Sequence, residues 1–135
     1  MQTARIVLIE DNPADVLLVE KALSEGGISY ALTRFENGAA AVRALCAPAQ
    51  EGDLLPDAIL LDLNTPRTDG FDALRQLRQS PRLTAVPLAI LTSSRTQSDK
   101  HRAAVQGARY IEKPSQLKEF LAVVGRAVKD MLAES

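Results

Sequence analysis

Ile6-Val7-Leu8-Ile9-Glu10-Asp11-Asn12-Pro13-Ala14-Asp15 passes from an aliphatic run, through two acids, into the start of a helix. An aliphatic run without polar alternation suits a parallel strand covered on both faces. Asn12 carries the side chain of a helix cap, and Pro13 has the fixed φ of a first helical position. Leu18, Val19 and Ala22 then share one helical face, which Gly26-Gly27 closes. The segment reads as a strand followed by a helix, with its acids at the junction.

The same unit recurs along the chain. Ala58-Ile59-Leu60-Leu61 and Leu88-Ala89-Ile90-Leu91 are equally aliphatic, whereas Tyr30 to Phe35 and Arg109-Tyr110-Ile111 are more polar, as suits strands nearer an edge. Helical patterns follow each run. Gly38 to Leu45 is short and Ala-rich. Phe71, Leu74 and Leu77 recur at helical spacing before Pro81. Gln97 to Gln106 is polar and ends at Gly107. In the last helix, Leu117, Leu121, Val124, Val128 and Leu132 form the expected core stripe, with Phe120 and Met131 on one flank. Ala47 to Pro56, with two prolines, reads as a loop. Five β-α units predict an α/β fold with a doubly wound parallel sheet and right-handed crossovers. Such sheets bind ligands beyond the carboxyl ends of their strands.

Composition narrows the function. A chain of 135 residues fits a single domain over 1–135. With 46% hydrophobic and 24% charged residues, it has the balance of a soluble globular protein. A net charge of -1 gives no basic field for nucleic acid. No apolar run is long enough to span a bilayer, and the N-terminus does not resemble a signal peptide. Cys46 is the only cysteine, which suits a reducing cytoplasm. Only Ala133, Glu134 and Ser135 follow Leu132, so no output domain is expected.

The polar residues collect at the predicted strand ends: Glu10-Asp11 after the first, Asp62 after the third, Thr92-Ser93 after the fourth, and Glu112-Lys113-Pro114 after the fifth. On a shared rim, Glu10, Asp11 and Asp62 would raise one another's pKa unless a cation intervened. Mg2+ is the expected cation, because it is satisfied by few carboxylates and several waters. Lys113 adds positive charge and Thr92 a hydroxyl. A nucleophilic acid, a metal, a lysine and a hydroxyl are what receiving a phosphoryl group requires. Taken singly, each has an ordinary explanation as a strand-end or surface residue. Their coincidence on four strand ends is what points to function.

Leu8-Ile9-Glu10-Asp11-Asn12-Pro13, Leu60-Leu61-Asp62-Leu63-Asn64-Thr65-Pro66, Asp69-Gly70, Leu91-Thr92-Ser93-Ser94 and Lys113-Pro114 together resemble the CheY-like response-regulator receiver domain, in order and over nearly the whole chain. The resemblance implies a flavodoxin-like (βα)5 sheet of order 2-1-3-4-5. It implies that Asp62 accepts a phosphoryl group from a sensor histidine kinase. Asp11 and Asp62 would bind Mg2+ through carboxylates, Asn64 through its backbone carbonyl, and Glu10 through water. Lys113 would pair with a phosphoryl oxygen. Thr92 and Tyr110 would form the switch, and Lys113-Pro114 would carry a cis peptide bond. A narrower stretch, Asp11-Asn12-Pro13-Ala14-Asp15 with Asp62-Leu63-Asn64-Thr65-Pro66, is similar to the single-domain regulators that partner bacterial phytochrome kinases. Asn64 and Ser94 stand at positions that vary in the family and tune phosphoryl lifetime, and the insert near Ala47 to Asp53 is longer than in the shortest members.

Two other classes fit less well. A haloacid-dehalogenase-type enzyme needs a second aspartate two residues after its nucleophile, where Asn64 stands. A flavodoxin-like electron carrier needs a hydroxyl- and glycine-rich phosphate loop after the first strand, where Glu10-Asp11 would repel a phosphate. A receiver that is never phosphorylated is disfavoured by the complete set of site residues. Without an effector domain, output is expected through protein contacts. Val123 and Ala127 extend the apolar arc of the last helix beyond what a core requires, and the family resemblance also implies dimers on this face. A homodimer through the fourth helix, fifth strand and fifth helix is the expected arrangement.

Overall fold

The computed structural model describes residues 3–48, 54–63 and 70–134. Five strands, β1 (Ala4–Ile9), β2 (Tyr30–Phe35), β3 (Ala58–Asp62), β4 (Leu88–Thr92) and β5 (Arg109–Glu112), form one sheet of order β2-β1-β3-β4-β5. Every pairing is parallel. The helices are α1 (Pro13–Glu25), α2 (Gly38–Leu45), α3 (Gly70–Gln79), α4 (Gln97–Val105) and α5 (Leu117–Ala133). The expected fold and strand order are therefore observed. A short 3-10 turn at Pro81–Leu83 adds to the expected elements.

The aliphatic strands divide their side chains between two cores, because alternate strand residues point to opposite faces. Ile6, Leu8, Leu60, Leu91 and Ile111 pack with α1 and α5. Val7, Ile9, Ile59, Leu61 and Ile90 pack with residues of α2, α3 and α4. Strands β3 and β4 are buried throughout, while β2 alternates between intermediate and exposed positions at its edge.

Helix ends follow local chemistry. Asn12 caps α1 by accepting from the Ala14 N–H at 2.9 Å. Gly27, at φ 74°, and Gly107, at φ 69°, turn the chain after α1 and α4 in the left-handed region that glycine enters without steric cost.

The expected stripe on α5 needs a correction. Phe120, Val124, Gly125, Ala127, Val128 and Met131 are the buried residues, whereas Leu117 is 50% exposed. Leu121 and Leu132 are only partly buried. The buried face is rotated by roughly 40° from the expected one, at about 100° per residue. At the crossing with α1, a Cβ at Gly125 would stand 3.1 Å from the Ala22 carbonyl oxygen, so the two backbones approach closely there. Ala127 belongs to the core, and Val123, 39% exposed, is what remains of the expected apolar surplus.

Candidate functional site

The register aligns the carboxyl ends that carry the site. Ile9 pairs with Leu61, Asp62 with Leu91, and Thr92 with Glu112. The next backbone bonds hold the rim: Leu63 N–H donates to the Leu91 carbonyl at 3.1 Å, and Lys113 N–H to the Thr92 carbonyl at 2.8 Å. Glu10, Asp62 and Thr92 are all buried.

Strand alternation separates the rim into two sides. Glu10, Asp62 and Lys113 continue the parity of Leu8, Leu60 and Ile111, whose side chains face α1 and α5. Thr92 continues the parity of Ile90, and Tyr110 packs with that second core. Charge therefore gathers on the α1 side, and the two expected switch residues lie on the α4 side.

On the charged side, Lys113 Nζ lies 2.5 Å from Asp62 Oδ2, with side-chain exposures of 13% and 6%. Glu10, Asp15 and Asp62 each offer a carboxylate oxygen, all within 4.8 Å of one another. Burial pushes the Glu10 carboxyl up to a pKa of about 9, helped by hydrogen bonding to Asp62 and by the charge of Asp62. A hydrogen bond with Asp15 adds to the rise, and Lys113 opposes it. The Asn12 N–H donates to Glu10 Oε1 at 3.3 Å. Arg34 reaches from β2 to the Glu10 and Asp11 carbonyls, both at 2.9 Å.

This arrangement suits a hard divalent cation. Three carboxylates faced by one lysine carry excess negative charge, and a proton held on Glu10 relieves it. A cation with oxygen preference can replace that proton.

Of the expected metal residues, Glu10 and Asp62 come together. Asp11 is exposed, and its carboxylate is outside the acid group. It follows Glu10 by one residue, and alternation turns it away. Asn64 lies outside the described residues. Asp15 is the acid that sequence reasoning passed over. Its signal was its place in the first turn of α1, the helix that covers the same side of the sheet as Glu10 and Asp62.

On the α4 side, Thr92 Oγ1 accepts the Ser94 N–H at 3.0 Å. The Tyr110 hydroxyl donates to the Ser94 carbonyl at 2.5 Å. Thr92 and Tyr110 therefore share one bonded neighbour. The Lys113–Pro114 bond is trans, in contrast to the expected cis form. Proline lowers the cost of cis without removing the ordinary preference for trans.

The model of the response regulator receiver domain matches residues 6–125. The probable methanogenesis regulatory protein FilR2 of Methanothrix harundinacea is 33% identical over 120 residues, covering 88% of this chain and 77% of FilR2. Response regulator Rcp1 of Synechocystis is 37% identical over 95 residues, covering 70% of this chain and 65% of Rcp1. The Mn2+-bound Rcp1 structure superposes with a TM-score of 0.82 and 31% identity, over 96% of this chain and 94% of that one. The phosphorylated cyanobacterial phytochrome response regulator RcpA superposes with a TM-score of 0.85 and 27% identity, over 99% and 97% of the two chains. No helix among the described residues is long and apolar enough to cross a membrane.

Proposed function

Because this chain belongs to the response regulator receiver family, we propose that Asp62 is its phosphoacceptor and that a sensor histidine kinase is the donor. The carrying observation is the buried Asp62 carboxylate, held 2.5 Å from Lys113 Nζ and beside Glu10 and Asp15. An Asp62 oxygen attacks phosphorus in line. The P–N bond to the kinase histidine breaks as the P–O bond forms, and the imidazole leaves. Lys113 turns from Asp62 to a phosphoryl oxygen. The Thr92 hydroxyl donates to another oxygen, and Tyr110 follows Thr92. Autodephosphorylation is hydrolysis: a water oxygen bonds to phosphorus and gives up a proton to solvent, the P–O bond to Asp62 breaks, and inorganic phosphate departs, leaving the Asp62 carboxylate.

Mg2+ is the proposed cofactor, and when bound it neutralises charge on the phosphoryl oxygens. Glu10, Asp15 and Asp62 are the residues best placed to hold it. Asp11 and the Asn64 backbone carbonyl are proposed from the family resemblance. Support comes from the oxygen-only donor set and from the Mn2+-bound Rcp1 structure.

The similarity to RcpA and Rcp1 supports a kinase of the phytochrome type, and the lone Cys46 supports a cytoplasmic setting. We read residues 1–135 as one receiver domain that signals through protein contacts. A homodimer through α4, β5 and α5 is part of this proposal, supported by the exposed Val123 on α5. The functional test is transfer of label from a phosphorylated histidine kinase to wild type and Asp62→Asn. Acid-labile labelling of wild type alone is expected. Equal labelling of Asp62→Asn rejects the assignment.

A further inference from the structure

We propose that Asp99 is a positioning residue: its bond to Ser94 ties the Thr92–Tyr110 pair to the first turn of α4, so that a phosphoryl-driven shift of Thr92 moves that helix. The proposal rests on the reading of Asp62 as phosphoacceptor.

Ser94 is bonded through all three of its polar groups. Its N–H donates to Thr92 Oγ1 at 3.0 Å, and its carbonyl accepts from the Tyr110 hydroxyl at 2.5 Å. Its hydroxyl donates to Asp99 Oδ2 at 2.6 Å. A hydrogen bond to an ionised acceptor is stronger than a neutral one, so the Asp99 contact is a firm one. Ser94 cannot follow Thr92 without either drawing Asp99 along or breaking that bond.

Asp99 is itself fixed within the helix. Its N–H donates to Thr96 Oγ1, the α4 cap, at 3.2 Å. The next residue, Lys100, pairs with Glu112 at 3.0 Å and lies 6.0 Å from the centre of the Tyr110 ring. Glu112 precedes Lys113, whose Nζ holds Asp62 and whose N–H holds the Thr92 carbonyl. Contacts thus run from Asp62 through Lys113 and Glu112 to Lys100, and return through Asp99 and Ser94 to Thr92. The first turn of α4 is gripped at two successive residues, by the switch on one side and by β5 on the other. A contiguous chain of this kind carries coupling when its ends occupy two arrangements.

The test uses the full chain with beryllofluoride, a phosphoryl mimic, and Mg2+. The chain has two tyrosines, so 19F-tyrosine labelling gives two signals. Tyr30, bonded to Glu20 at 3.1 Å, serves as the internal reference. Amide NMR of α4 reports the helix. Wild type should shift the Tyr110 signal and the α4 amides on adding the mimic. Ser94→Ala and Asp99→Ala should keep mimic binding but lose most of the α4 response. Their double variant should lose no more than either alone, and Asp99→Asn, which retains an acceptor oxygen, should recover much of it. A Ser94→Ala variant with its α4 response whole, as expected if Asp99 only stabilises the helix, overturns the proposal, and so does a double variant that loses clearly more than either single variant. A wild type that takes up no mimic overturns the phosphoacceptor reading first, and this proposal with it.

Discussion

Replacing Glu10 by glutamine should remove a pH dependence that the acid cluster builds into the metal-free protein. The Glu10 carboxyl is raised from its ordinary pKa of 4.5 to about 9, chiefly by burial and then by Asp62. At pH 7 a group of that pKa is about 99% protonated, whereas the unfolded chain has released the proton. The folded state therefore binds more protons between these two values. Stability is insensitive to Glu10 below the lower value, falls as pH rises through the window, and levels off above the upper one. The slope of one differential proton is up to about 1.4 kcal/mol per pH unit. Metal binding turns the same proton into a product. Near neutrality, Mg2+ should displace close to one proton, and its apparent affinity should rise by up to about tenfold per pH unit. Urea denaturation across about pH 6 to 8 measures the slope, and titration calorimetry in buffers of different ionisation enthalpy counts the proton. Glu10→Gln should flatten the first and abolish the second. Parallel stability curves for wild type and variant, or metal binding without proton release, would mean that Glu10 does not hold this proton.

Three further outcomes are expected. Arg78 donates to the carbonyls of Leu83, Val86, Gln106 and Gly107 at 2.8 to 3.2 Å, joining the ends of α3 and α4; Arg78→Ala should cost about 3 kcal/mol in urea melts, and Arg78→Lys somewhat less. Gly125→Val should destabilise by about 2 kcal/mol, because even a Cβ there stands 3.1 Å from a backbone oxygen of α1 that has little room to yield; a neutral result in the same assay would mean that α1 and α5 can part. Light scattering of wild type and Val123→Asp, with and without a phosphoryl mimic, tests the dimer: a wild type monomeric in every state removes it, and an unchanged dimer in Val123→Asp moves it to another face.

The fold was legible because its signals are strong and redundant. Aliphatic runs such as Ala58–Leu61 leave few alternatives to a covered parallel strand, and Asn12, Pro13, Gly27 and Gly107 mark helix ends by their own stereochemistry. The rotation of α5 was not legible. Hydrophobic period gives the width of an apolar arc, but the centre of its contact depends on a neighbouring helix. Here Phe120, Ala127 and Met131 place it on one flank of the expected stripe. In the site, Glu10, Asp62, Thr92 and Lys113 stood out as strand-end residues of the right type. Asp15 did not, because its relevance comes from the side of the sheet that α1 covers, a tertiary fact. The bonds of Ser94 to Asp99 and Tyr110 join separate elements in the same way, and no local pattern announces them.

Asp62 is proposed to take the phosphoryl group with the help of a cation held by its acidic neighbours. The most direct measurement is chemical mapping of the modified residue. After incubation with a small phosphodonor, borohydride reduction converts an aspartyl phosphate to homoserine, which mass spectrometry of the digested protein locates. With Mg2+ present, the homoserine should appear at position 62, and chelation of the metal should abolish it. Homoserine at another acid such as Asp11 or Asp15, or the same yield at position 62 without Mg2+, would contradict the account.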